Sequence, residues 1–193
     1  MSMNIKALII YRLYQWPRVL FYKFASSKAL KVTGPAAQFK QPVLLEGYGQ
    51  VNLADNVTFG VKRSPYFYNG YTYMEARSEQ ARIEIARNVV FNNSCVVISV
   101  KDGIHVGEGT VFGSKCTVID SDFHALTPDA AVRGAPIKIG NNVFVGSNVT
   151  ILKGVEIADN CVIANGAVVT KSFEIPCVIA GNPAQKVRDL DPV

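Results

Sequence analysis

Histidine is scarce in this 193-residue chain, which has two, His105 and His124, together with four cysteines and one tryptophan. Two histidines cannot fill a three-histidine zinc site, and without a C-x-x-C pair the cysteines make neither a redox motif nor a metal framework. No metal is expected. Long apolar runs are missing as well. The stretch from Ile5 to Tyr11 stops at Arg12, far short of the ~20 residues that cross a bilayer, and no secretory pattern is visible. Cations exceed acids by 20 to 15, for a net charge of +5 and a pI near 9.0. They form no dense cluster and no recognition-helix pattern, so nucleic acid is not an expected partner. What is left is a single-domain globular protein, expected in the cytoplasm.

The dominant signal is a period of six. Ile139, Val145, Ile151, Ile157, Ile163 and Val169 stand at a strict six-residue spacing, which neither a helix nor a simple strand produces. A small residue usually follows each aliphatic (Gly140, Gly146, Ala158, Ala164), and a modest one stands four places on (Val143, Val149, Val155, Cys161, Ala167). Two inward positions per hexad suit a thin prism, with the long side chain on the axis and the small one near a corner. Leu53 and Phe59, then Ile85, Phe91 and Val97, then Val106, Phe112 and Val118 keep the same step, with insertions between blocks. The expectation is one parallel β-helix from about residue 41 to 170, with three hexads per coil and coils ~4.8 Å apart. Cys95, Cys116 and Cys161 fall on the small inward position, where a thiol serves as apolar filler.

Two segments depart from the repeat. Residues 1–40 mix apolar and aromatic side chains with Lys6, Arg12, Arg18, Lys23, Lys28 and Lys31, and Pro17 is expected to divide them into two short helices. One reading makes this segment a cap over the open first coil. The other lays residues 5–31 on a membrane surface, peripheral at its inner face. Near residues 61–82 the repeat gives way to VKRSPYFYNGYTYMEARSEQ, with five aromatics between Tyr66 and Tyr73. Aromatic faces stack on sugar rings, and Lys62, Arg63, Glu75 and Arg77 supply polar grips; alternatively, the rings pack on the flank of the prism or on another subunit.

The segment IKIGNNVFVGSNVTILKGVEIADNCVIANGAVVTK, followed by IAGNPAQKVRDL, resembles the hexapeptide-repeat acyltransferases. These are all-β proteins built as a left-handed parallel β-helix, and they include galactoside, maltose and polysaccharide O-acetyltransferases. The resemblance covers about residues 45–190. It implies three parts: an N-terminal helical segment, 1–40; a β-helix, 41–178, with excursions near 61–82 and 120–137; and a GNPA-bearing tail, 179–193. It also implies a homotrimer with active sites between subunits, acetyl-CoA as donor, and a sugar or polysaccharide acceptor.

Candidate site residues follow. His124, in IDSDFHALTPD, stands where the family carries its catalytic histidine, and imidazole titrates where a hydroxyl needs a base. His105 precedes the inward Val106 and should face outward. Asp120 and Asp122 would share a face with His124 in an extended stretch, and Asp122 is the favoured orienting partner. A backbone N–H is expected to hold the oxyanion. Asn92 matches the position that presents an asparagine to the acceptor in sugar acetyltransferases, although asparagine also suits a turn. Tyr71, Tyr73 and Arg77 are acceptor-side candidates, since similar polysaccharide O-acetyltransferases carry a comparable tyrosine-rich stretch. On the donor side the resemblance implies Phe144, Ser147, Asn165, Gly166, Thr170 and Lys171, with Lys186 and Arg188 for the CoA phosphates. Gly146 and Gly166 would let the cofactor approach the backbone. Phe144 replaces a common tryptophan, Ala158 and Asn165 replace small residues of the family, and SFEIPC replaces the usual DIPPN.

These features together predict an O-acetyltransferase acting on a sugar or surface-polysaccharide hydroxyl by direct transfer. The competing readings are N-acetylation of a nucleotide-linked amino sugar, O-acetylation of serine, and a non-catalytic structural or binding β-helix. A γ-type carbonic anhydrase shares the prism but needs a third histidine, and an ice-binding face needs a threonine array that this chain lacks.

Overall fold

The computed structural model describes residues 5–125, 127, 129 and 131–190. Short strands visit three sheets in turn, so that each circuit of the chain adds one strand to each sheet. The sheets hold six, eight and six strands and pair in parallel, except for a final antiparallel hairpin of Cys177–Gly181 with Ala184–Asp189. The result is a triangular prism of stacked coils, a parallel β-helix.

The hexad produces this shape because one side chain per strand falls on the axis. In the first sheet Leu53, Ile85, Val106, Ile139 and Ile157 lie in register. In the third, Met74, Val97, Val118, Ile151 and Val169 do the same. The second sheet begins as an aromatic column. Phe39, Phe59, Phe91 and Phe112 stack nearly parallel, with centroids 5.3, 5.2 and 4.7 Å apart, before Val145, Ile163 and Ile179 continue the line. These residues are buried apart from Phe39 at the open end. Each stabilises the fold by roughly 1.5–3 kcal/mol of transfer free energy.

The corners have their own chemistry. Asn56, Asn88, Asn142 and Asn160 all adopt positive φ, between 53° and 61°, three places after an inward aliphatic. Asparagine tolerates that left-handed turn, so the chain bends there by 120° at little cost. The small residue after the aliphatic answers to stacking: a Cβ on Gly113 would come within 2.5 Å of the Ser147 amide nitrogen, and one on Gly146 within 2.7 Å of that of Asn165. Gly146 is therefore required by the coil beneath it, which accounts for it without any cofactor. Cys95, Cys116, Cys161 and Cys177 are free and buried.

Three boundaries differ from the sequence expectation. The β-helix starts at Lys31–Thr33 and Gln38–Phe39, ahead of residue 41. The first excursion ends sooner than residue 82, because Thr72–Ala76 is a regular strand of the third sheet with Met74 in the core. Helix α1 (Ile5–Ile10) and helix α2 (Trp16–Ala25) are joined by a π-helical stretch, Tyr11–Gln15, and there is no break. Pro17 sits in the first turn of α2, where a missing N–H is tolerated, and the wider turn before it absorbs the ring. The helical segment also leaves the first coil partly open. Val32, an inward residue, is 43% exposed, and a groove of about 940 Å³ separates Leu20 and Phe24 from Val32 and Phe39.

Candidate active site

The second excursion leaves the third sheet after Thr117–Ile119 and rejoins the first sheet at Ile137. Its base is closed by a bridge between Ser121 and Gly134 and by the Asp122 amide donating to the Arg133 carbonyl at 3.0 Å. Asp120 is fully buried. Its carboxylate accepts from Ser99 Oγ at 2.7 Å and from the Val100 and Gly103 amides at 2.7 and 2.9 Å. With three donors on it, Asp120 holds the excursion's root.

Phe123 turns the chain with φ of +62° and delivers His124 to the surface. The His124 amide donates to the Asp122 carbonyl at 2.8 Å. The Asp122 carboxylate is engaged elsewhere: Lys153, from the next coil, donates to its Oδ1 in a short ion pair. Oδ2 of Asp122 is buried with no hydrogen-bond partner among the described residues. Asp122 thus stands two residues from His124 and is oriented by a lysine that the sequence analysis did not single out. Leu126, Pro128 and Ala130 of the same excursion lie outside the described residues.

Beside this loop, the outer face of the third sheet carries a compact polar cluster. Arg77 donates twice to Glu75, at 2.7 and 2.9 Å, and the Tyr73 hydroxyl donates to the same carboxylate at 3.0 Å. The Arg77 guanidinium holds Glu75 below the usual carboxylate range, while burial, aided by the Glu75 charge, pushes Tyr73 up to about 12. Arg77 also lies 4.7 Å over the Phe123 ring. A cation stacked on an aromatic face in this way ties the cluster to the residue next to His124.

The remaining candidates are distributed between two prism edges. Asn92 lies at the edge between the second and third sheets, where its Oδ1 accepts from the Asn93 amide at 2.8 Å. Further along that edge stand Ser147, whose amide donates to Asn165 Oδ1 at 2.7 Å, and Gly166. Gly166 has φ of +72°, and nothing lies within 4 Å of where its Cβ would be, so its backbone is open to a ligand. Phe144, just before this edge, is 54% exposed. Thr170 and Lys171 fall on the other edge, that of His124, where Lys171 bonds to Gln185 of the terminal hairpin. Lys186 and Arg188 lie on that hairpin, and Lys186 pairs with Asp189 at 2.8 Å, which raises the lysine's affinity for its proton. His105 lies on the outer face of the first sheet, 3.5 Å from Glu84.

The tyrosine-rich excursion is held by buried amides. Asn93 donates through Nδ2 to the carbonyls of Val61, Ser64 and Pro65 at 3.0, 3.2 and 2.7 Å and accepts from the Val61 amide. Gln41 donates to Tyr66 at 2.8 Å, and Gln15 donates to Phe67 at 2.7 Å. All three side chains are fully buried. Phe67 is buried in turn and stacks on Tyr11, Tyr71 packs on Tyr22 with centroids 4.9 Å apart, and Lys115 lies 4.0 Å over Tyr66. Most of the rings therefore pack on the flank of the prism and on the helical segment. Tyr71 and Arg77 sit at opposite ends of one strand, and only Arg77 and its Glu75–Tyr73 cluster reach the His124 loop.

Residues 136–171 match the family model described as the hexapeptide repeat of succinyl-transferase. Among solved structures, the polysialic acid O-acetyltransferase OatWY is 22% identical, with 85% of this chain and 87% of that chain covered and a TM-score of 0.61. The polySia-specific acetyltransferase NeuO is 20% identical, with 83% and 85% covered and a TM-score of 0.56. A mutant of AntD, an N-acyltransferase from Bacillus cereus in complex with dTDP and coenzyme A, is 13% identical, with 84% and 83% covered and a TM-score of 0.60. At such identities the likeness concerns the fold, which is the left-handed parallel β-helix of hexapeptide repeats.

Proposed function

We propose that this chain, a hexapeptide-repeat protein with the fold of the left-handed β-helix acyltransferases, is an acetyl-CoA-dependent O-acetyltransferase for a hydroxyl of a sugar or surface polysaccharide. The observation that carries this reading is the stack of Arg77 on Phe123, which brings a preformed polar cluster against the loop that presents His124. A carboxylate, a phenol and a guanidinium in one network suit a polyhydroxylated acceptor, whose hydroxyls both donate and accept hydrogen bonds. OatWY and NeuO, whose acceptor is polysialic acid, favour a glycan. AntD, an N-acyltransferase of the same fold that has also been solved with dTDP-4-amino-4,6-dideoxyglucose, keeps an amino sugar as the second reading.

In this mechanism His124 takes the proton from the acceptor hydroxyl as that oxygen forms its bond to the thioester carbon. The carbon–sulfur bond then breaks, and the proton passes from the imidazolium to the departing thiolate. Asp122, held by Lys153, places a negative charge near the imidazolium as it forms, and Asn92 holds the acceptor. The open backbone at Gly166 and the edge residues Ser147 and Asn165 suit one side of the extended pantetheine arm, with Phe144 against it, and Thr170 on the facing edge of another copy suits its other side. Lys171, Lys186 and Arg188 are the cations available to the CoA phosphates.

The two candidate edges of one prism are separated by a sheet, so His124 and Asn92 meet most simply when one copy's edge faces another's. An outward apolar column on the second sheet, Val90, Val111, Phe144, Val162 and Val178, supplies a surface for such contact. A homotrimer with shared sites satisfies both observations.

The test is thiol release from acetyl-CoA across simple sugars, amino sugars, nucleotide sugars, lipid-linked and polymeric glycans, and serine. Turnover on a glycan hydroxyl, reduced about a thousandfold or more in His124→Ala, is the expected result. A His124→Ala protein that folds and keeps most of its activity would refute the assignment, and turnover confined to amines would transfer it to N-acylation.

A further inference from the structure

The helical segment is amphipathic in the reverse sense. Two of its polar side chains point into the protein: Gln15 is fully buried against Phe67 and Lys40, and Arg18 donates to the carbonyls of Tyr68 and Gly70. Its large apolar side chains point outward, with Phe24 81% exposed, Leu13 76%, Ile5 73%, Phe21 65% and Trp16 53%. A helix that merely capped the first coil would turn these two faces the other way. An apolar surface of this extent, continuous with the open groove beside Val32, requires a partner.

Charge identifies the partner. Seven of the chain's 20 lysines and arginines, and none of its 15 acids, precede Glu46, which leaves the rest of the chain slightly acidic at thirteen against fifteen. Arg12 and Lys23 are exposed on the helical segment itself, and Lys28, Lys31 and Lys40 are exposed just beyond it. The path from Ile5 to Ala25 is about 30 Å long at helical rise, but with cations along it, and with no helix among the described residues long and apolar enough to cross a membrane, it lies flat. Trp16 and Tyr14 are exposed as well, and both are residue types that settle at the headgroup level.

We infer that the outer face of residues 5–25 docks on an anionic lipid surface, with its apolar side chains in the interface and the neighbouring cations on the headgroups. A second copy of the same segment fits poorly, because it would bring cations against cations. This inference does not depend on the acetyl-transfer reading. It would hold for any reaction at His124, and it places the open end of the prism towards the membrane.

Trp16 is the chain's only tryptophan, so its fluorescence reports this contact directly. Full-length protein is mixed with phosphatidylcholine vesicles, with or without about 30% phosphatidylglycerol, and binding is also measured by flotation. The expected result is a blue shift and co-flotation with the anionic vesicles only, weakened about tenfold or more by high salt. Leu13→Glu with Phe24→Glu should abolish binding without altering the circular dichroism. Arg12→Ser and Lys23→Ser should each weaken it about fivefold. No blue shift with anionic vesicles would overturn the inference. So would an oligomer that dissociates in the Leu13→Glu/Phe24→Glu protein while vesicles leave Trp16 unchanged, which would assign the face to another copy of the chain.

Discussion

The coils between Ile137 and Val169 and the irregular segments, residues 5–25 and 61–71, are stabilised in opposite ways. In the coils every inward position is apolar, every corner is small or left-handed, and each strand repeats its neighbour's contacts. In the irregular segments the loop is held by three amides, Gln15 from the helical segment and Gln41 and Asn93 from the coils, each reaching its backbone carbonyls, while large apolar residues of the helical segment face out. Regular packing makes a rigid scaffold, and amide struts hold an irregular loop against it. The candidate site residues collect where the two meet, at the edges and on the outer face of the third sheet.

The strongest way to break the comparison is to attack the scaffold. Phe91 is fully buried between Phe59 and Phe112, so Phe91→Ala should cost about 3–5 kcal/mol in chemical unfolding and lower stability throughout the molecule. An attack on the struts should act locally. Asn93→Ala leaves the Val61 amide and the carbonyls of Ser64 and Pro65 without their partner and should cost about 2–3 kcal/mol. Its sharper sign is trypsin cleavage at Lys62 or Arg63 in a protein whose coils remain intact, which cleavage mapping would detect.

Smaller effects sharpen the site. Lys153→Met leaves the Asp122 carboxylate, 21% exposed, without its cation. About 1–2 kcal/mol of stability should be lost, since the pair is partly solvated, and kcat should fall more than KM changes if Asp122 acts on the imidazolium. Glu75→Gln should bring the Tyr73 hydroxyl down from about 12 towards 10, read by ultraviolet titration, although burial alone will keep part of the shift. The same carboxylate has a folded-state pKa below its ordinary value, so its stabilisation is complete above the ordinary carboxylate range and is lost as pH falls through the lower folded value. With Arg77 47% exposed, that contribution is about 1 kcal/mol or less, visible as a shallower acid-unfolding limb in the variant.

The same contrast explains what the sequence made legible. Period six from Ile139 to Val169 reflects side chains that meet copies of their own environment, so the pattern stands alone as evidence of fold. The extent of the first excursion was not legible, because Met74 is the one large apolar residue on the inward face of its strand, between Thr72 and Ala76, and it is out of phase with Phe59 after an insertion. Gln15 and Arg18 carry no pattern that distinguishes a buried strut from a solvated helix face; only the position of the loop carbonyls decides it. Within the candidate site His124 stood out because histidine is scarce and because its loop resembles the one that carries the family's catalytic histidine. Lys153 did not, because its partner lies a full coil away, and Asp120 looked equivalent to Asp122 until the Ser99, Val100 and Gly103 donors separated them.

The central claim, that one copy supplies His124 and another Asn92, is tested most directly by mixing two inactive proteins. His124→Ala and Asn92→Ala are co-expressed with different tags, mixed oligomers are isolated, and acetyl transfer is measured. Recovery of about a third of wild-type activity, from the one site in each mixed trimer that draws its intact residues from two different copies, is the expected result. Mixed oligomers as inactive as either parent would contradict the shared site.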